Sequence, residues 1–369
     1  MQKLQIIEID PLGQGVAKEN GEIFFIPKTL PGETVDAEVF KKARGVNFAK
    51  LVSVEKKSDE RIESECEHFN ECPGCNFLHT SYANEIEFKK KSLEKIFRKW
   101  ENINIETIQA DQRLHYRNRI QLHYNKDEKL LGFYSVAEQR IVPVPHCLIA
   151  EQAVLEKLKE LYTDDNWLNL LNREKPIGHI EIYLKNGEVK LSFNSQYAES
   201  GFSQVNQEMN EKLVALVTRT IQDKLVGEKK LIDLFGGSGN LTKELSEDFV
   251  IDCVDVFKQP TPNNKNFYFH KIDLYKDESL TYFLQKTKIE KTNLLMLDPP
   301  RSGFKFLMDW CDNVNPDYVL YVSCDPQTMQ RDLEQIRGQY SLEKIVLLDL
   351  FPGTYHFETV VIMKRLTIS

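Results

Sequence analysis

Three kinds of hydrophobic pattern follow one another along the chain. In residues 1–57, short runs of β-branched and aromatic residues alternate with glycine and proline breaks, which predicts short strands closed into a small barrel. After Ser81, apolar residues from Ile86 to Trp100 recur at helical spacing opposite a face of lysines, which predicts an amphipathic helix. Residues 111–194 contain segments of alternating apolar and polar positions, typical of an antiparallel sheet.

The pattern changes after Phe202. A helical segment from Asn206 to about Leu225 precedes a series of apolar runs of strand length, which are separated by helical or loop segments. These runs comprise residues 230–234, 249–254, 293–297, 318–322 and 360–363. Such alternation is typical of a mostly parallel sheet with helices on both faces, so the C-terminal part predicts a doubly wound α/β domain.

Composition narrows the class of protein. Of the 369 residues 41% are hydrophobic, with only 17 Gly and 14 Pro, which excludes a disordered or collagen-like chain and allows two or three domains. The N-terminus lacks a signal-peptide pattern and no stretch approaches the length of a membrane span, so we expect a cytoplasmic protein without membrane contact. The seven cysteines suit a reducing compartment, where thiols serve as ligands or nucleophiles.

The net charge of −8 is unevenly distributed. An evenly spread negative charge would argue against a nucleic-acid partner, but ten Lys and Arg residues fall between Glu85 and Lys126. Such a basic region can bind phosphate groups, although a solvated helix face has the same composition.

A glycine-rich turn, Asp233 to Leu241, follows the first apolar run of the C-terminal part. Its glycines Gly237 and Gly239 allow a ligand to approach the backbone at the carboxyl end of a strand. The turn has Thr242 where a dinucleotide fingerprint requires glycine, and it lacks the Gly-Lys-Ser/Thr of a phosphate loop. It therefore indicates either a nucleoside-type cofactor or a tight structural turn.

Further polar residues follow the other apolar runs. Asp255 could accept hydrogen bonds from ribose hydroxyls or only cap its strand, and the two prolines after Asp298 direct that carboxylate back towards a cleft. Cys324, directly after a strand, is better explained as a nucleophile than as a core residue. Glu358 could be a base and His356 a substrate contact, or both could belong to a polar turn.

Taken together, these motifs resemble those of the RNA uridine-5-methyltransferases that use S-adenosylmethionine, over nearly the whole chain. The resemblance implies a TRAM RNA-binding β-barrel (OB-like) in residues 1–57 and a central α+β iron-sulfur domain in residues 58–200. It also implies a class I (Rossmann-like) methyltransferase domain in residues 201–369. The helix near residues 84–110 could pack with the catalytic domain.

The resemblance also assigns roles to single residues. Cys324, in Ser-Cys-Asp-Pro, matches the nucleophile that adds to C6 of uracil, and Glu358 matches the base that removes the C5 proton. The residues that match the family's cofactor-binding positions are Gln204, Phe235, Gly237, Gly239, Asn240, Asp255, Asp273 and Asp298. Residues 256–272 depart from the family pattern, because they resemble a loop where the family places a helix.

Four of the seven cysteines form a further candidate site: Cys66, Cys72, Cys75 and, preceded by a histidine, Cys147. A close pair with two more distant thiols suits a metal that closes a loop, and the spacing resembles the family's 4Fe-4S site. Four thiolates also suit structural zinc, and a site without metal remains open. Four thiolates would close a cluster, which predicts a structural or RNA-positioning role rather than catalysis.

The expected function is formation of 5-methyluridine in RNA by a monomeric enzyme, with large-subunit ribosomal RNA the first candidate substrate and transfer RNA the second. The target uridine must swing out of its stack to reach the cysteine. The alternative from another class is a non-catalytic RNA-binding protein on a decayed methyltransferase fold. The presence of both Cys324 and Glu358 favours the enzyme.

Overall fold

The computed structural model describes residues 1–100, 103–195, 204–225, 229–256 and 265–367. The chain divides into two compact units. The first unit comprises Met1–Ser92, Ala110–Gln207 and Leu350–His356, and the second comprises Leu93–Gln109, Glu208–Asp349 and Phe357–Ser369. The three predicted domains, 1–57, 58–200 and 201–369, stay a prediction.

The first unit begins with a closed barrel, as the turn-rich pattern of residues 1–57 predicts. Its strands are β1 (Gln2–Ile9), β2 (Gln14–Glu19), β3 (Glu22–Pro27), β4 (Thr34–Ala43) and β5 (Val46–Lys56). Neighbours around the barrel follow the order β1, β2, β3, β5, β4, and only β3 and β5 run parallel within this described segment. Asn20 and Gly21 both have positive φ in the β2–β3 turn, which suits the twist of a two-residue hairpin.

This unit also contains an antiparallel sheet, in agreement with the alternating pattern of residues 111–194. Its strands are β7 (Arg119–Asn125), β8 (Leu130–Ser135), β9 (Arg140–Val142), β10 (Ile177–Lys185) and β11 (Glu188–Phe193), in the order β11, β10, β7, β8, β9. Alternate residues of β7 and β10, such as Leu122 and Ile180, pack into one core with α2 (Gln152–Tyr162) and α3 (Asn166–Leu170). This burial of one face explains the period of two in the sequence.

The second unit is built on a mostly parallel sheet, as the apolar runs predict. Its strands are β6 (Ile105–Ile108), β12 (Lys230–Leu234), β13 (Val250–Asp255), β14 (Phe267–Lys271), β15 (Leu294–Leu297), β16 (Tyr318–Ser323), β17 (Tyr340–Leu348) and β18 (Glu358–Arg365). The order is β14, β13, β12, β15, β16, β18, β17, β6, and among these described strands β18 alone runs antiparallel to its neighbours.

Helices connect these strands. They are α1 (Tyr82–Phe97), α4 (Gln207–Lys224), α5 (Ser279–Thr287), α6 (Leu307–Val314) and α7 (Pro326–Glu334). The last turns of α1, with Leu93 and Phe97, pack in the same core as Leu295, Val319 and Trp310. None of the helices among the described residues has the length and apolar character that crossing a membrane requires.

Candidate active site

The polar residues that follow the apolar runs meet at one edge of the second unit's sheet. The carboxyl ends of β12, β13, β15 and β16 share this edge, because those strands are parallel. Strand β18 runs the other way, so its first residue, Glu358, lies at the same edge. Pairing of Ser323 with Thr359 places Cys324 and Glu358 at adjoining ends of neighbouring strands. The fold thus brings together two residues that are 34 positions apart in the sequence.

The turn after β16 gives Cys324 its position. Asp325 caps α7: its carboxylate accepts hydrogen bonds from the backbone N–H groups of Gln327 and Thr328, each at 3.1 Å. Pro326 occupies the first turn of the helix, where a missing N–H group has no consequence. Cys324 therefore lies between a strand end and a helix start, and it is partly exposed, whereas Cys253 and Cys311 are fully buried.

Four side chains at this edge interact electrostatically: Asp298, Arg301, Cys324 and Glu358, here named the strand-end site. Burial raises the pKa of the Cys324 thiol to about 11, and the charge of Glu358 acts in the same direction. Arg301 lowers this pKa through its charge and through a hydrogen bond to the thiol. Burial and the charge of Asp298 raise the pKa of Glu358 well above its usual range. The carboxyl atom Glu358 Oε2 is buried without a hydrogen-bond partner among the described residues.

This electrostatic arrangement suits a nucleophile and a base. A carboxylate whose pKa is raised binds a proton more tightly than an ordinary one and is therefore a stronger base. The guanidinium of Arg301 stabilises the thiolate form of Cys324, which is the nucleophilic form. The sequence analysis assigned no role to Arg301; its position three residues after Asp298 was the available signal.

The glycine-rich turn after β12 is shaped by two carboxylates. Asp255, the last residue of β13, accepts a hydrogen bond from the N–H of Gly237 at 3.0 Å. Asp233 is buried and accepts one from the hydroxyl of Thr242 at 2.5 Å. Phe235 has φ of +62°, an uncommon conformation for a residue with a side chain. The turn continues into a short 3₁₀ helix, Lys243–Glu247.

The remaining predicted cofactor residues of the second unit lie at or near this turn. Gly239 has φ of +77°, and its N–H donates to the carbonyl of Gly236 at 2.7 Å. The side chain of Asn240 exchanges hydrogen bonds with Asn210 of α4. Asp273 follows β14, next to β13, and accepts a hydrogen bond from the N–H of Tyr275 at 3.1 Å.

Two predictions concern residues elsewhere. Gln204 belongs to the first unit, where its carbonyl accepts a hydrogen bond from the side chain of Asn118 at 3.1 Å. The neighbouring residues 202 and 203 lie outside the described residues, as do 257–264 of the segment that departs from the family pattern.

The four cysteines Cys66, Cys72, Cys75 and Cys147, here named the thiol group, lie in the first unit and carry no disulfide. Burial raises the pKa of each thiol, to about 11 for Cys72, and the charges of other members of the group contribute for Cys72, Cys75 and Cys147. A cation lies beside them: Lys28 Nζ donates to the carbonyls of Asn70 and Cys72, both at 3.0 Å. Within the described residues, no three His, Cys, Asp or Glu side chains are arranged as a metal site.

The mutual influence of the four thiols bears on whether they fit a metal. Charges shift one another's pKa only over short distances, so these thiols lie in one region of the first unit, with a lysine beside them. The donor type fits an iron-sulfur cluster or zinc. The donor type therefore suits the metal that the family resemblance implies, although the thiols of the described residues are not arranged as a metal site.

Comparison with known proteins gives two family matches. Residues 2–52 match the TRAM domain, and residues 283–366 match the family described as tRNA (Uracil-5-)-methyltransferase. The second match includes the whole strand-end site. Two similar proteins carry the name 23S rRNA (uracil(1939)-C(5))-methyltransferase RlmD. That of Shewanella sediminis (strain HAW-EB3) is 26% identical and that of Shewanella sp. (strain MR-4) 28%, each over 98% of this chain and 95% of the relative.

These matches confirm that the chain resembles the RNA uridine-5-methyltransferases. A solved structure, that of Pyrococcus abyssi tRNA (uracil-54, C5)-methyltransferase in complex with S-adenosyl-L-homocysteine, aligns with a TM-score of 0.68 at 19% identity. The alignment covers 98% of this chain and 100% of the other, and it confirms the predicted fold class. The roles of single residues stay predictions.

Proposed function

We propose that this protein methylates C5 of uridine in RNA, with Cys324 as the nucleophile and Glu358 as the base. The observation that carries the proposal is the placement of these two side chains at adjoining strand ends of one sheet. A cysteine and a carboxylate in this relation supply the two functions that the reaction needs on either side of methyl transfer.

The chemistry follows from the weak nucleophilicity of C5. The thiolate of Cys324 adds to C6, and the C5=C6 electron pair moves towards C5 and the C4 carbonyl. S-adenosylmethionine, once bound, would supply an electrophilic methyl group. The bond from C5 to this methyl group would form as the sulfonium–methyl bond breaks, and the electron pair of that bond would stay on the sulfur of S-adenosylhomocysteine. The carboxylate of Glu358 then takes the C5 proton, the C5=C6 double bond reforms, and the sulfur of Cys324 leaves C6 with its electron pair. Arg301 stabilises the thiolate at both ends of this cycle.

Residues of the glycine-rich turn and its neighbours would hold S-adenosylmethionine. Gly237 and Gly239 leave space at the backbone, and Asp255 and Asp273 follow adjacent strands with carboxylates suited to ribose hydroxyls and to the adenine side. Phe235, Asn240, Asp298 and Gln204 complete the proposed set. The solved structure that shares this fold was determined with S-adenosyl-L-homocysteine, which supports a cofactor of this class.

The proposed substrate is ribosomal RNA of the large subunit. The alignments with the relatives named for 23S rRNA span 95% of each relative and 98% of this chain, with 26–28% sequence identity. The sequence identity to the tRNA-modifying protein of known structure is 19%. Transfer RNA is the second candidate, because the matching family model and that structure are both named for it. We also propose that the protein works as a monomer in the cytoplasm.

We propose that the thiol group binds a 4Fe-4S cluster, with Cys66, Cys72, Cys75 and Cys147 as its four ligands. The support is that these four cysteines form no disulfide and that their spacing along the chain resembles the family's cluster site. Iron and acid-labile sulfide in protein purified without oxygen would support the cluster, and zinc without sulfide would support the alternative.

The test of the proposed reaction combines wild-type protein with a Glu358→Gln variant. Wild-type protein should transfer labelled methyl groups from S-adenosylmethionine to 23S rRNA, and nuclease mapping should place them on C5 of one uridine. Glu358→Gln should methylate C5 once but retain the RNA as a covalent adduct, visible as a band of reduced mobility on a denaturing gel, because no base removes the C5 proton.

A matched control for this test is Glu343→Gln, which changes a carboxylate of β17 that forms ion pairs with Lys224 and Lys364. This variant should turn over normally. Free turnover by Glu358→Gln would contradict its role as the base, and a wild-type protein that binds RNA without methylating it would favour a non-catalytic RNA-binding protein.

A further inference from the structure

Asp332, on α7, is a fully buried carboxylate that the proposed reaction does not use. One of its oxygens accepts hydrogen bonds from the hydroxyl of Tyr321 at 2.8 Å and from the N–H of Phe304 at 2.6 Å. The other accepts two from the guanidinium of Arg331, at 2.7 and 3.0 Å. A buried charge requires such partners, and here they come from three different segments of the second unit.

Each partner of Asp332 leads towards the strand-end site. Tyr321 lies on β16, three residues before Cys324. Phe304 ends the loop that begins at Asp298 and contains Arg301. Helix α7 itself begins two residues after Cys324. Asp332 therefore connects the strand and the helix that flank the nucleophile to the loop that carries the guanidinium.

The loop is fixed at further points close to Asp332. Arg331 donates to the carbonyl of Ser302 at 2.9 Å, and the hydroxyl of Tyr275 contacts the Ser302 hydroxyl at 2.8 Å and the Gly303 carbonyl at 3.0 Å. Gly303 has φ of +74°, and a Cβ atom there would lie 2.3 Å from a carboxylate oxygen of Asp332. Only glycine allows the loop to approach the carboxylate this closely.

We propose that Asp332 is a positioning residue that holds the loop of residues 298–304 so that Arg301 stays against Cys324. The proposal rests on the function proposed above. Because Arg301 both hydrogen-bonds the thiol and acts on it by charge, a small displacement of the loop weakens both effects. A loosened loop also moves Asp298, which influences Glu358. Asp332 would thus act on the nucleophile and the base without touching substrate.

The first test is the variant Asp332→Asn, which keeps the size of the side chain but removes its charge and one acceptor for Arg331. The rate of Cys324 alkylation by iodoacetamide is measured from pH 7 to 10, by mass spectrometry of the Cys324 peptide. We expect alkylation at pH 8 to slow by about tenfold and the thiol pKa to rise, because Arg301 no longer stabilises the thiolate. Methyl transfer should fall through kcat by about 10- to 100-fold, with KM for RNA little changed.

A second variant, Arg331→Gln, removes the donor to Ser302 from an exposed position, and so it remains informative if Asp332→Asn fails to fold. It should shift the Cys324 profile in the same direction by a smaller factor. The control is Glu334→Gln on the exposed side of α7, where the carboxylate accepts hydrogen bonds from the side chains of Gln330 and Arg337. This control should alkylate and turn over as the wild type does.

The outcomes separate the two proposals. Folded Asp332→Asn or Arg331→Gln protein with a wild-type alkylation profile would overturn the positioning role, whatever the methylation activity. The other case is a wild-type protein that methylates no RNA, with variants whose alkylation profile is shifted. That result would support the positioning of Arg301 and would contradict the proposed function.

Discussion

The strand-end site and the thiol group hold reactive side chains in two different ways. In the strand-end site, Cys324 and Glu358 adjoin because two strands end at one edge of a sheet, and hydrogen bonds between the strands fix that relation. The thiol group belongs to a stretch of chain, residues 57–81, that forms no helix or longer strand among its described residues, together with the distant Cys147. In a site on strand ends, the polypeptide alone fixes the positions of the side chains. In a site on turns, the donor side chains take up their final positions only when they bind a metal or cluster.

The pKa shifts in the two regions reflect this difference. In the strand-end site, burial and carboxylates raise the pKa values of Cys324 and Glu358, and the guanidinium of Arg301 lowers both. The negative and positive charges there are therefore partly balanced. In the thiol group burial and mutual repulsion act in one direction, and Lys28 supplies a partial balance. Bound metal would convert that repulsion into attraction, because it withdraws charge from each thiolate.

The largest effect should come from Cys324→Ala. Without the sulfur nothing adds to C6, and we expect methyl transfer to RNA to fall below detection in an assay with labelled S-adenosylmethionine. The matched control is Cys311→Ser, which changes a cysteine in the core of the same unit, and it should keep most of the activity. Measurable turnover by Cys324→Ala would remove the cysteine from the mechanism.

Removing a ligand from the thiol group should separate the two regions. If the proposed 4Fe-4S cluster is bound, we expect Cys75→Ala to lose most of the iron and to unfold at a lower temperature, because the turns of the first unit then lose the cluster that would order them. Affinity for S-adenosylmethionine should change less than about threefold, since the residues proposed to bind it lie mainly in the second unit. Iron and sulfide analysis, thermal unfolding and calorimetric titration test this, and full iron content in the variant would exclude Cys75 as a ligand.

The two regions also differ in what the sequence could predict. The apolar runs identified the parallel strands, and a rule about strand ends then placed Asp255, Asp298 and Cys324 at one edge. The place of Glu358 was less accessible, because it depends on β18 running antiparallel, which local hydrophobicity does not reveal. The spacing of the cysteines suggested a metal but left its identity open, since soft donors suit more than one.

Other features lay beyond local pattern. The role of Arg301 depends on a contact with Cys324 that only the folded chain creates. Helix α1 follows a single periodic pattern, yet its first residues belong to one unit and Leu93 onwards to the other, because packing rather than periodicity decides membership. Asn240 was predicted from the family motif, and its hydrogen bonds to Asn210 of α4 could not be foreseen from spacing.

A smaller effect is expected from Asp255→Ala. This change removes the proposed acceptor for the ribose hydroxyls and the partner of the Gly237 N–H. Hydrogen bonds to a charged group contribute about 1.5–3 kcal/mol, so the affinity for S-adenosylmethionine should fall by about 10- to 100-fold. Calorimetric titration measures the change. Asp277→Ala, at an exposed carboxylate of the same unit, is the control and should bind as the wild type does.

The smallest effect concerns the pH dependence of stability. Burial and the charge of Asp255 raise the pKa of Asp233 from 3.8 to about 7. The folded protein therefore holds this proton more tightly than the unfolded chain does. The stability that results is fully present below about pH 4 and is lost as the pH rises through 7.

The variant Asp233→Asn should remove this dependence while keeping an acceptor for Thr242. Between pH 5 and pH 8 the wild type should lose a few degrees of melting temperature relative to the variant, as scanning calorimetry would show. The thiol group adds nothing over this range, because thiols whose pKa is raised above 9 stay protonated throughout when no metal is bound. An equal loss of melting temperature in the wild type and in Asp233→Asn would show that Asp233 does not cause the pH dependence. If the difference between the wild type and Asp233→Asn persists when Cys75→Ala is also present in both, the pH dependence belongs to the sheet of the second unit rather than to the turns that carry the thiol group.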